Sequence, residues 1–207
     1  MRIFLVSIIA YVIGSVSFSL ILSRVFFRSD VREGGSGNAG ATNMARLFGM
    51  DAGLATLALD AAKGALALFI GRHFAGPWGM CAAGISCLLG HCFPVFSGFR
   101  GGKGVAVGLA AVLAADWRVC LGGLVVFALC AALSKKVSLS SIVASAFALL
   151  GAVLLKLPAD RLVLIAVTVL IIIVQHRENI SRLLHGTEKD FSCAGAERKH
   201  PKKHDNK

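Results

Sequence analysis

Three polar segments interrupt an otherwise apolar chain, and their residue types suit phosphate. The first is Gly34-Gly35-Ser36-Gly37-Asn38-Ala39-Gly40-Ala41-Thr42-Asn43, followed by Arg46. Glycines let backbone N–H groups point into one concavity, where they bind an anion. A helix beginning just after the loop adds its N-terminal field. Ser36, Gly37, Asn38, Thr42, Asn43 and Arg46 are therefore candidate anion ligands. A flexible linker matches the glycine content, yet leaves two Asn, a Thr and an Arg before the next apolar run unexplained.

The second segment is Gly90-His91-Cys92-Phe93-Pro94-Val95-Phe96, then Phe99-Arg100-Gly101-Gly102-Lys103-Gly104. Gly101, Gly102 and Lys103 supply backbone donors and a point charge. This is not a nucleotide-binding P-loop, which needs GxxxxGK followed by Ser or Thr. The competing reading is a basic turn that fixes topology. His91 stands near a helix end, where a structural hydrogen bond is its first reading.

The third segment, His176-Arg177-Glu178-Asn179-Ile180-Ser181-Arg182-Leu183-Leu184, follows the last apolar run. On a helix, His176, Asn179 and Leu183 share a face. Either this is a basic interfacial cap, or His176 and Asn179 point back toward the two glycine loops. Asp60 and Lys63, inside an apolar run, stand at i, i+3 and can pair. A charge at mid-membrane costs about 2.5–3.5 kcal/mol on insertion scales, so they read as a brace. Ser138, Ser140 and Ser141 offer hydroxyls at the start of a later run, where serine also serves helix packing.

Other chemistries are missing. There is no close carboxylate pair for glycoside hydrolysis, no GxSxG elbow and no HExxH zinc helix. His185 and Asp190 match an HxxxxD acyltransferase pattern, but two fixed positions in a polar stretch carry little weight. Neither a metal nor a cofactor is expected. Six cysteines lie mostly in or beside apolar runs without a CxxC, so they read as small packing residues.

The surroundings of these segments are those of a membrane protein. Of 207 residues, 56% are apolar and 16% charged, with mean hydropathy +0.75. Soluble domains carry about 25% charge. Apolar runs occur at 3–23, 52–71, 78–97, 105–115, 119–133, 139–157 and 161–175, against about 20 residues needed to cross a bilayer. The runs at 105–115 and 119–133 are short, so they are either thin spans or a re-entrant pair. The expectation is an all-α integral membrane protein of about seven transmembrane helices, two of them short. Net charge is 22 − 11 = +11. Here it reads as topogenic rather than as a nucleic-acid footprint, so no nucleic-acid partner is expected. Sixteen Lys and Arg fall on one set of loops and five on the other, with Lys63 left out. That places the N-terminus outside and the three polar segments and the C-terminus in the cytoplasm. The positive charge follows the first run more strongly than it precedes it, which favours a retained span over a cleaved signal. Residues 1–190 read as one transmembrane domain and 191–207 as a basic, disordered tail.

The three segments, in this order, resemble the signatures of the bacterial acyl-phosphate:glycerol-3-phosphate acyltransferase family (PlsY). The residues that carry the likeness are Gly35 to Asn43, Gly90-His91-x-Phe93-Pro94 with Gly101-Gly102-Lys103-Gly104, and His176-Arg177-x-Asn179-Ile180 with Gly186-Thr187-Glu188. Val107 stands where many members carry Thr. The resemblance implies a multi-pass enzyme of the bacterial inner membrane with its active site at the cytoplasmic face. It implies transfer of an acyl group from acyl phosphate to the 1-hydroxyl of glycerol 3-phosphate, giving lysophosphatidic acid and phosphate. It also implies contact with membrane lipid and functional coupling to an enzyme that makes acyl phosphate. Ser36 and Gly101-Gly102-Lys103 would surround phosphate. Arg46, Lys103, His176 and Asn179 would hold glycerol 3-phosphate, with Ser141 nearby; Asp60, Lys63 and His91 read, from the residues alone, as structural or supporting groups. Lys103, His176 and Ser36 are the catalytic candidates. The proton of the attacking hydroxyl goes either to a substrate phosphate or to His176; no carboxylate–His pair is evident, which favours the phosphate. A transporter for a phosphorylated solute is the competing class, since broken helices suit it too.

Overall fold

The structure, a computed structural model, describes residues 1–191; most of the basic tail, with Cys193, lies outside them. Every regular element among the described residues is a helix, with no strand. Helix α1 (Arg2–Ser15) and helix α2 (Phe18–Phe27) divide the first apolar run. Val16 between them is extended, at φ −71° and ψ 112°, and its carbonyl leaves the helical ladder. Lys63 Nζ donates to that carbonyl at 2.6 Å.

After the first glycine loop come α3 (Ala41–Phe48) and the long α4 (Met50–Cys92). Helix α4 reverses at Ala75 and Gly76, so residues 50–74 and 77–92 form two arms. Gly76 has φ +68°, a left-handed conformation that glycine adopts without strain, and Pro77 then starts the second arm in a preset helical φ. The arms touch where Gly71 meets Gly79, each lacking room for a Cβ. The same device seats α1 on the second arm: a Cβ on Gly14 would strike the Cys87 carbonyl, and one on Gly90 the Tyr11 carbonyl. Helix α1 buries Val6, Ala10, Gly14 and Ser15 in this way and packs as part of the bundle.

Helices α5 (Val105–Ala115), α6 (Trp117–Ser134), α7 (Val137–Leu154), α8 (Ala159–Gln175) and α9 (Arg177–Leu184) complete the fold. Asp116 caps α6 by accepting from the Arg118 and Val119 amides. With Trp117 and Arg118 in its first turn, α6 has 18 residues, long and apolar enough to cross, which agrees with the thin-span alternative for the run at 119–133. Helix α5 has 11 residues and spans about 16 Å, short of a bilayer core of about 30 Å. Helices α8 and α9 meet at 58°. Four stretches are long and apolar enough to cross a membrane, and the bent α8–α9 pair makes a fifth; one of the four is α4, which provides two arms. The protein is thus an all-helical, multi-pass membrane protein.

The two ends of the bundle differ. At one end Arg161 donates to the Ala115 carbonyl at 3.0 Å, above a core that includes Met80, Ala111, Val119, Ala152 and Leu164. The opposite end gathers the three polar segments.

Candidate functional site

A cavity of about 550 Å³ opens at that polar end. Ser36, Asn38, Thr42, Asn43 and Arg46 reach it from the first loop and α3. Lys103 reaches it from the second loop, Ser141 from α7, and His176 and Asn179 from the α8–α9 bend. Residues scattered from 36 to 179 therefore surround one space.

Asn43 builds the first loop. Buried at 2% exposure, it accepts from the Ser36 amide at 2.9 Å and donates to the carbonyls of Val31 (2.8 Å) and Gly34 (3.1 Å). Its side chain is spent on the chain itself. The Gly37 amide likewise bonds the Gly34 carbonyl. The anion cradle expected from this loop thus rests less on its first amides than on Asn38, Thr42, the Ser36 hydroxyl and the start of α3.

Gly101 and Gly102 differ from expectation: Lys103 and Gly104 line the cavity, whereas these two do not. They are glycines because the loop lies tight on the end of α4. A Cβ on Gly101 would strike the His91 carbonyl, and one on Gly102 the His91 ring. Gly37 also stays off the cavity wall.

Lys103 donates to Asn179 Oδ1. Asn179 Nδ2 in turn donates to Glu188 Oε1 at 2.6 Å. Ser138 donates to the same oxygen, and Arg182 Nε to Glu188 Oε2 at 2.7 Å. Burial disfavours the charge on Glu188, but these three donors outweigh it and hold its pKa below the usual value. Burial also lowers the Lys103 pKa to about 8, against the pull of Glu188. Glu188, Arg182 and Ser138 were missing from the residues singled out as ligands. The signal for Glu188 was present in Gly186-Thr187-Glu188, but its place in a polar stretch reads equally as a solvated charge.

Arg46 takes part in none of the ion pairs among the described residues. His176 has its Nδ1 2.8 Å from the Ile172 carbonyl. A carbonyl only accepts, so Nδ1 carries the ring proton and Nε2 keeps its lone pair. Ser141 donates to the Val137 carbonyl at 2.9 Å and keeps oxygen lone pairs for a ligand.

Asp60 and Lys63 form the expected pair, with Nζ 2.8 Å from Oδ1, and His91 joins them. Asp60 and His91 reach the cavity wall. Val107 is a buried core residue packed beside Gly64. His185 and Asp190 do not act together: the ring meets the Ser181 carbonyl, while Asp190 pairs with Lys136 at 2.7 Å. The five cysteines among the described residues are free.

Part of the cavity wall is apolar: Met50, Leu54 and Leu57 on the first arm of α4 and Phe127 of α6 line it together with the polar groups. Met50 and Leu54 are exposed on the bundle surface, so the apolar wall runs out sideways.

Residues 4–186 match the glycerol-3-phosphate acyltransferase family. A relative from Jannaschia sp. (strain CCS1), named glycerol-3-phosphate acyltransferase, is 44% identical over 184 residues, 89% of this chain and 90% of its own. One of the same name from Gluconobacter oxydans (strain 621H) is 42% identical, with 96% and 97% covered. Two crystal structures of PlsY, an integral membrane glycerol 3-phosphate acyltransferase, superimpose closely. The glycerol 3-phosphate form gives a TM-score of 0.88 and the lysophosphatidic acid form 0.85. Each is 36% identical and covers 93% of this chain and 96% of its own.

Proposed function

This chain belongs to the glycerol-3-phosphate acyltransferase family, and from that premise we propose that it moves a fatty acyl group from acyl phosphate to the 1-hydroxyl of glycerol 3-phosphate. The hydroxyl oxygen attacks the acyl carbonyl carbon, and the bond from that carbon to the phosphate oxygen breaks. Lysophosphatidic acid and inorganic phosphate leave.

One observation carries this reading: Arg46, Lys103 and Asn179 share a cavity with the apolar wall of Leu54, Leu57 and Phe127. The polar side suits phosphate, with Arg46 as a fork and Lys103 as a point charge. The apolar side suits an acyl chain entering from lipid. Acyl phosphate is already activated, so orientation of the hydroxyl against the carbonyl supplies much of the rate. Lys103 stabilises charge on the departing phosphate. The hydroxyl proton passes to the substrate phosphate; His176 Nε2, with its free lone pair, is the alternative acceptor and accepts a hydrogen bond from the glycerol backbone. The site works at the cytoplasmic face of the bacterial inner membrane, where basic loops collect.

A transporter gains no support, because the packed Met80–Leu164 core lies beneath the opposite end of the bundle. The test uses purified protein in lipid nanodiscs with glycerol 3-phosphate and either acyl phosphate or acyl-CoA. Lysophosphatidic acid from acyl phosphate alone is expected. Product from acyl-CoA alone overturns the donor assignment, and no product from either overturns the reaction.

A further inference from the structure

Three ionisable side chains that the reaction above does not use meet inside the bundle. Asp60, Lys63 and His91 are 2%, 5% and 7% exposed. Lys63 Nζ donates to the Val16 carbonyl at 2.6 Å and lies 3.1 Å from His91 Nδ1. It stands 2.8 Å from Asp60 Oδ1, near enough to pair but off the line of a hydrogen bond, for that oxygen has no hydrogen-bond partner. His91 Nδ1 is 3.6 Å from the same oxygen. An ammonium has donors only, so Nδ1 accepts from it and the ring proton sits on Nε2. That fixes both the tautomer and the rotation of the ring.

The far edge of the ring faces the loop that bears Lys103. A Cβ on Gly102 would fall on His91 Nε2 and crowd Cε1, so the ring lies against the Gly102 α-carbon. The Gly102 amide also donates to the His91 carbonyl at 3.1 Å. The residue before Lys103 is therefore held twice by His91, once through the backbone and once through the ring. A buried ion pair is weak evidence of stability in itself, because apolar side chains of similar volume often serve as well. Inside a membrane such groups mark function.

On the acyl-transfer reading, we infer that Asp60 and Lys63 act as positioning residues: they set the His91 ring, and the ring sets the Gly102–Lys103 backbone so that the Lys103 ammonium meets phosphate. None of the three touches the reacting atoms.

The test separates folding from positioning. Asp60→Leu with Lys63→Met removes both charges together and leaves no lone buried ion. His91→Phe keeps a ring against Gly102 but removes the acceptor for Lys63. The melting transition, kcat and the KM for glycerol 3-phosphate are read for each. The expected result is a retained transition with turnover lowered by about 10²-fold, the scale of an ångström-sized misplacement. A folded double variant with wild-type kcat and KM overturns the inference. Should the double variant fail to fold, His91→Phe decides: slow turnover in a folded protein supports positioning, and wild-type turnover overturns it. Failure of both to fold also overturns it, since the cluster is then a folding element alone. Wild-type protein is run alongside with glycerol 3-phosphate as a stabilising ligand. If it is stabilised but makes no lysophosphatidic acid, the proposed reaction fails. The inference is then read from the glycerol 3-phosphate concentration needed for stabilisation, which His91→Phe raises if positioning holds and leaves unchanged if it does not.

Discussion

Lys103 Nζ donates to Asn179 Oδ1, a bond between residues 76 apart in sequence, and it ties the loop before α5 to the helix after the bend. The orientation of the Asn179 amide follows from Glu188, which accepts from Nδ2 and so turns Oδ1 toward the lysine. A cation held this way is preorganised for an anion that arrives later.

Lys103→Met keeps the length of the stem and removes the charge. The expected outcome is a fall in kcat/KM of about 10²–10³-fold, the cost of removing one preorganised donor, with an unchanged melting transition. An equal loss of fold and activity assigns Lys103 to the scaffold instead.

The low Lys103 pKa predicts a pH response. Burial lowers it to about 8 from the ordinary 10.5. The folded site therefore holds its positive charge below pH 8 and loses it as pH rises through that value. Initial rates at saturating donor are expected to fall on the alkaline side with a midpoint near pH 8, and Lys103→Arg is expected to move that limb upward. A flat profile between pH 7 and 10 contradicts the Lys103 assignment.

Arg46→Lys replaces a fork with a point charge. Because Arg46 has no ion-pair partner among the described residues, the structure loses little. The KM for glycerol 3-phosphate is expected to rise by about tenfold, the equivalent of roughly 1.4 kcal/mol of lost binding. An unchanged KM removes Arg46 from the substrate.

Much of this was legible in the residues themselves. Apolar runs marked the helices, and Gly35 to Arg46, Gly101 to Lys103 and His176 to Asn179 marked the polar end. The break at Val16 is hard to see in the sequence, since Ser15 and Ser17 are also ordinary packing residues of membrane helices; it matters because the freed carbonyl takes Lys63. In the sequence Gly101 and Gly102 suggest phosphate donors, because glycine serves two purposes, exposing amides and admitting a close neighbour. Only the distance to His91 separates them. Glu188 escaped because a carboxylate near cations in a polar stretch has the composition of any solvated surface. Its three donors, Ser138, Asn179 and Arg182, lie 50, 9 and 6 residues away.

The apolar wall yields the last prediction. Leu57 lines the cavity between Leu54, which is exposed on the bundle surface, and Asp60. On the proposed reaction it flanks the acyl chain and not the glycerol. Leu57→Trp narrows that path without touching Arg46, Lys103 or Asn179. The KM for a long-chain acyl phosphate is expected to rise by about 10-fold, within the 10–200-fold that apolar pocket fit can discriminate. The KM for a short-chain donor and that for glycerol 3-phosphate should stay close to wild type. Equal effects on both donors would mean that the chain leaves the cavity by another side, since narrowing a wall that the chain never follows cannot depend on its length.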